Sequence, residues 1–187
     1  MRPFRRRRLL RALSSRDQTT RWGAAKALLE LRDERTVRRL QRLLGAGGDE
    51  AARAAAAYVL GFSGESEVAP ALAERLADQD ESVVVRSYAA EALGHLLQEQ
   101  TVLAGVRTPI VRALRDASPD VRFWSAFAAG VLGLQESRPQ LERLAAGDHE
   151  TIEGWWSVAE EAGWALRLLD GEEDPPLPSA RPAASEV

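Results

Sequence analysis

The chain has 187 residues, 45% hydrophobic and 28% charged, which is enough for one globular domain with a core of its own. It has no cysteine, which excludes a disulfide framework, a thiolate metal site and a thiol nucleophile. The net charge of −3 conceals a dipole: residues 1–46 carry 14 Arg/Lys against 4 Asp/Glu, and residues 47–187 carry 11 against 24.

The chain begins MRPFRRRRLLRAL. Arg2, Arg5, Arg6, Arg7, Arg8 and Arg11 make it basic, and Phe4, Leu9, Leu10 and Leu13 give it an apolar side. It has no long apolar segment and no small-residue cleavage site, so no secretory signal and a cytoplasmic location are expected. No run approaches the roughly 20 apolar residues that span a bilayer. Residues 1–16 read as a basic arm or capping helix.

From residue 17 the sequence repeats. The segments DQTTRWGAAKALLEL (17–31), DEAARAAAAYVLGFSG (49–64), SVVVRSYAAEALGHL (82–96) and SPDVRFWSAFAAGVLG (118–133) place Arg21, Arg53, Arg86 and Arg122 in one column. Small residues follow three and four positions on, from Ala24 and Ala25 through Ser125 and Ala126. Leu28, Leu60, Leu93 and Ala129 come seven on, with Gly61, Gly94 and Gly130 behind three of them. Such a period marks a solenoid of stacked helical hairpins. Asp17, Asp49, Ser82 and Ser118 are the candidate N-caps, with Pro119 suited to the first helical turn. Between these helices runs a second apolar pattern: Val37, Leu40, Leu43 and Leu44; Val68, Leu72 and Leu76; Val106, Ile110 and Leu114; Leu141 and Leu144. The segment 97–107 is longer than the other links and is expected to form a bulge or a longer helix.

On these residues the chain resembles the HEAT-like repeats of the phycobilisome-lyase type. The resemblance rests on 49–61, 80–94 and 118–133 and extends over about residues 15–169. It implies an all-α, short right-handed α-solenoid of about five helical hairpins, with a repeat domain at 17–169. It does not imply one function, because the fold serves scaffolds, lyases and enzyme accessory domains. The column arginines fall in the apolar sector of each helix and must be paired or hydrogen-bonded. The resemblance pairs each with an aspartate near its helix start: Asp17 with Arg21 and Asp49 with Arg53, with Asp80 and Asp120 as nearby substitutes later. An anion-binding row is the alternative.

Three sets of residues are candidates for function. Arg5, Arg6, Arg7 and Arg8, with the stripe Arg35, Arg38, Arg39 and Arg42, suit phosphate backbone or an anionic surface. Their plainer reading is a solvated cap, or a contact to acidic protein. His149–Glu150 is one His-Glu pair where a di-iron hydroxylase needs several, and Tyr88, Glu91 and His95 read as a polar surface run. Trp124, Trp156, Glu160 and Glu161 are the materials of an aromatic–acidic cleft of glycosylase or lyase type, without a basic rim. No nucleophile with its base is identifiable, and no catalytic residue, metal ligand or cofactor is assigned.

The stretch TIEGWWSVAEEAGWALRLL (151–169) holds three of the five tryptophans. Read as one helix, it fits the repeat with a step of 32 or 33 residues, and 33 is preferred. Trp155 then takes the arginine column and the core or cap, and Trp156 lies on the flank, in a groove with Trp22 or Phe123-type positions. Trp164 points away and needs cover from a second subunit or partner, or from the chain's own tail, with the former slightly preferred. The tail, residues 170–187, has four prolines and is expected to be flexible. The favoured function is a non-catalytic protein–protein interaction scaffold or adaptor using Trp124, Trp156 and Trp164, with homo-oligomerisation through the terminal repeat open. The alternatives are nucleic-acid or polyanion binding by the basic N-terminal third, and a lyase or DNA glycosylase-like enzyme.

Overall fold

The computed structural model describes residues 3–31, 33–45, 49–98 and 100–178; Arg2 and tail residues 179–187 lie outside them. Among these residues ten α-helices form: α1 (Pro3–Ala12), α2 (Gln18–Leu29), α3 (Glu34–Gly45), α4 (Glu50–Gly61), α5 (Ala69–Ala77), α6 (Val83–Leu97), α7 (Ala104–Ala113), α8 (Pro119–Val131), α9 (Arg138–Gly147) and α10 (Val158–Leu169). They pair as five antiparallel hairpins, α1–α2 through α9–α10, stacked side by side. The even helices contact one another more closely than the odd ones do. We call the even row inner and the odd row outer.

The four expected caps fall where the sequence places them, and Ser157 adds a fifth that was not expected. Asp17, Asp49, Ser82 and Ser157 each accept a backbone N–H with the side chain, whereas Ser118 caps α8 by position alone. The outer helices bury the predicted apolar stripes: Val37, Leu40 and Leu44; Leu72 and Leu76 after Val68; Val106, Ile110 and Leu114; and Leu141. Of the longer segment 97–107, Leu97 ends the 15-residue α6, the link that follows buries Val102, and residues 104–107 open α7.

The alanine and glycine columns let the inner helices touch backbone to backbone. A Cβ on Gly61 would lie 2.7 Å from the Cα of Ala92, and one on Gly130 would lie 2.8 Å from the Cα of Ala165. Gly94 is likewise filled by Phe127 and by the Cα of Ala128 at 3.2 Å. The successive packing partners Ala92, Ala128 and Ala165 define the register. The last step is 37 residues, not the expected 33, because a ten-residue loop at 148–157 precedes α10.

The arginine ladder is corrected in its partners. Asp17 and Asp49 are spent on capping, and Arg21 instead donates to the Ser15 carbonyl at 2.8 Å. Arg53 forks onto Glu81 with bonds of 2.9 and 2.7 Å, Arg86 pairs with Asp116, and Arg122 pairs with Asp148 at 2.6 Å. Asp80 and Asp120 are not used. Each acid sits in the turn that opens the next inner helix or the loop before it, so each pair ties one repeat to the next. Burial pushes the Glu81 carboxyl up, but the hydrogen bonds from Arg53 and the Ser82 amide more than reverse this and leave it below its ordinary value. These arginines are consumed in structure, as a buried charge demands.

Candidate binding groove on the inner helices

Aromatic side chains from every inner helix form one strip. Trp22 of α2 meets Tyr58 at 5.3 Å and Tyr88 at 5.5 Å between ring centroids, and Tyr58 meets Phe62 at 5.2 Å. Phe62 then packs on His95 at 4.6 Å, His95 on Phe127 at 4.9 Å, and Phe127 stacks on Trp164 at 6.2 Å with planes 9° apart. A branch leaves Phe127 through Trp124 to Phe123, Trp155 and Trp156. The strip follows from the repeat: equivalent positions one or two turns along successive inner helices fall side by side.

The loop before α10 overturns the one-helix reading of 151–169. Ile152, Glu153, Gly154 and Trp155 form a tight turn, closed by the Trp155 amide donating to the Ile152 carbonyl at 2.9 Å. Gly154 stands at φ +79°, a conformation open to glycine and strained for L side chains. The Ile152 amide returns to the Trp156 carbonyl at 3.2 Å. The helix starts only at Val158, behind a capping box in which Ser157 and Glu160 satisfy each other's backbone N–H groups. Helical-wheel angles therefore do not apply to the first two tryptophans, and their roles exchange. Trp155 is 39% exposed at the groove edge, while Trp156 is 5% exposed and packs on Phe123 with Ile152 and Val158. Trp164 is half-buried, and the tail covers it: its Nε1 donates to the Pro175 carbonyl at 2.9 Å.

Two cavities with shared lining residues lie on this face. One, of about 210 Å³, is enclosed by Glu91, His95, Phe123, Trp124, Phe127, Trp155, Trp156, Glu161, Trp164 and Leu177. The other, of about 450 Å³, shares Glu91, Trp124 and Trp155 and extends toward Trp22 along Tyr58 and Tyr88, past Asp120 and Glu153. Glu161 is 1% exposed and accepts the Trp156 Nε1–H at 2.7 Å. Burial pushes its carboxyl up to about 7, against the smaller opposing effect of that hydrogen bond. Burial also pushes Glu91 up to about 7 and lowers His95. Tyr88, Glu91 and His95 are therefore not a solvated run. They share the inner face of α6 and are enclosed by aromatics from α4 and α8. The sequence signal for this was present: the trio lies one turn apart on a helix whose neighbours supply Phe62 and Phe127 at the same level.

Other sequence-predicted residues separate into groups. Trp124, Trp156, Trp164 and Glu161 line one cavity, whereas Glu160 is occupied in the capping box. Arg6, Arg7 and Arg11 of α1 face Arg39 and Arg42 of α3 across a cleft of about 740 Å³. Arg5, Arg8, Arg35 and Arg38 do not line it; Arg38 pairs with Glu34, and Arg6 is tied to Asp33 at 3.2 Å. His149 and Glu150 line an open, polar depression beside Arg122 and Arg143. Among the described residues no group of three or more His, Cys, Asp or Glu side chains is placed to hold a metal ion, and no helix is long and apolar enough to cross a membrane.

Stacked antiparallel hairpins with a buried charge ladder and an alanine-lined inner row define a helical-repeat solenoid. The HEAT repeats model matches residues 7–94 and 78–167, and the chain belongs to that family. Its fold is similar to the complex of CpcE and CpcF of phycocyanin lyase from Nostoc sp. PCC7120, with TM-score 0.70 and 20% identity over 86% of this chain and 97% of that one. It is also similar to a designed armadillo repeat protein in complex with peptide (KR)4, with TM-score 0.58 and 19% identity over 86% and 80%. Human deoxyhypusine hydroxylase shares 26% identity at TM-score 0.53 over 70% of this chain, which spans only 44% of that structure. No curated protein sequence matches the chain.

Proposed function

We propose that this protein is a non-catalytic scaffold that binds a protein partner along its inner helices. The observation that carries this reading is the continuous aromatic strip from Trp22 to Trp164, with Trp155 exposed at its edge. Aromatic side chains bury large area at low entropic cost and are enriched at the centres of interfaces. The strip crosses all five inner helices, and among the described residues no nucleophile–base pair accompanies it. The test is site-specific photocrosslinking in cells. A benzophenone side chain at position 155 is expected to trap one partner, and the same group at Glu142 on outer helix α9 is not. Equal yields from the two positions would remove the groove from the reading.

A second reading has its own observation. The cleft between α1 and α3 gathers Arg7, Arg11, Arg39 and Arg42 at one site, with no carboxylate in its lining. This geometry favours a polyanion. About three or four phosphate contacts would give a log K against log salt slope of roughly −3 to −4 on duplex DNA. A flat salt dependence would reject it.

A further inference from the structure

We propose that the cavity walled by Trp124, Phe127, Trp155 and Trp164 receives a cationic side chain, a guanidinium or alkylammonium group, from the partner segment, and that Glu91 and Glu161 recognise its charge. This deepens the docking reading and rests on it.

The Glu91 side chain is only 14% exposed, yet among the described residues it accepts no hydrogen bond. Its nearest counter-group is His95 Nε2 at 4.0 Å, on its own helix, and burial keeps that imidazole from protonating at neutral pH. Glu161 spends Oε2 on Trp156, and among the described residues its Oε1 accepts no hydrogen bond. Two carboxyl groups thus enter an apolar chamber with no cation from the described residues, which is costly for either as an anion. Among the described residues no arginine or lysine lines either cavity, and the other charged groups along the groove, Asp120 and Glu153, are acidic. An anionic ligand is therefore repelled, and a neutral apolar one leaves Glu91 unmatched. A cation meets both carboxyls and the negative faces of the surrounding rings, the arrangement of an aromatic cage.

Size narrows the occupant. The chamber of about 210 Å³ is below the roughly 300–1,000 Å³ of sites for drug-sized molecules, and suits one side chain. The adjoining cavity of about 450 Å³ shares Glu91, Trp124 and Trp155 and leaves room for the segment that carries it. Leu177 supplies an apolar rim to the chamber from the tail.

The experiment uses the full chain at about physiological salt. A fluorescein-labelled octapeptide of alternating lysine and arginine is titrated against its uncharged glutamine–citrulline counterpart, with anisotropy and tryptophan emission as readouts. The basic peptide is expected to bind at least about tenfold more tightly. Glu91→Gln and Glu161→Gln are each expected to erase that preference, while Glu142→Gln on the outer face leaves it intact. Circular dichroism verifies folding, and Glu91→Gln alone decides the matter if the Glu161 variant unfolds. Equal binding of the two peptides, or equal losses in the inner and outer variants, overturns the cation assignment but not the docking groove. Loss of the photocrosslink at position 155 overturns the groove itself. If neither peptide binds while that crosslink persists, the cation assignment falls alone.

Discussion

Glu161→Gln should stabilise the protein at neutral and alkaline pH relative to its behaviour in acid. Glu161 is 1% exposed, and burial raises its carboxyl from 4.5 to about 7. Between those values the folded state holds a proton that the unfolded chain has released. The contribution is therefore fully present below about pH 4.5, declines as pH rises through about 7, and is constant above. At about 1.4 kcal/mol per pH unit the whole swing is about 3 kcal/mol. Glutamine keeps the shape and a carbonyl acceptor for the Trp156 N–H but binds no proton. The difference in unfolding free energy between variant and wild type should thus shift by about 3 kcal/mol in favour of glutamine from about pH 4.5 to pH 8. Urea titrations at several pH values, followed by circular dichroism, measure it. Glu91, also raised to about 7, imposes a similar slope that remains in both proteins and cancels in the difference. Parallel stability–pH curves for the two proteins would refute the burial argument.

Asp116→Ala strands the Arg86 guanidinium in the core and should cost about 3–5 kcal/mol, most of which Arg86→Met in the same chain should restore; a double-mutant cycle in urea measures it. Gly130→Ala forces a methyl to within 2.8 Å of the Ala165 backbone and should destabilise by about 1–3 kcal/mol despite alanine's better helix propensity. Gly23→Ala, whose Cβ meets nothing within 4 Å, is the control and should be neutral or stabilising. Truncation after Glu173 removes the Pro175 carbonyl from Trp164 and should red-shift tryptophan emission without loss of helix. Arg7→Glu with Arg39→Glu should abolish any salt-sensitive retention on heparin, and unchanged retention would reject the α1–α3 cleft as its source.

The sequence by itself determined the hairpins and their faces. Arginine, alanine and glycine recur at one spacing because each repeat solves the same local problem: start a helix, bury one side and let its neighbour approach. Asp49, Ala56, Leu60 and Gly61 state that solution within thirteen residues. What covers a face is not a local matter. Arg53, Arg86 and Arg122 announced that they needed acids, but Glu81, Asp116 and Asp148 lie 28, 30 and 26 residues onward and meet them only after stacking. The exchange between Trp155 and Trp156 was nearer to legible. Ser157-Val-Ala-Glu160 spells a capping box, and the glycine at 154 permits the turn before it. Three tryptophans drew the register toward a longer helix instead. The enclosure of Glu91 could be read only by setting its segment against those of the neighbouring repeats. A carboxyl on an inner-facing turn is ordinary in isolation. It became an enclosed group only when α8 and α10 brought Trp124, Phe127 and Trp164 to the same cavity, because burial depends on what the next repeat places alongside.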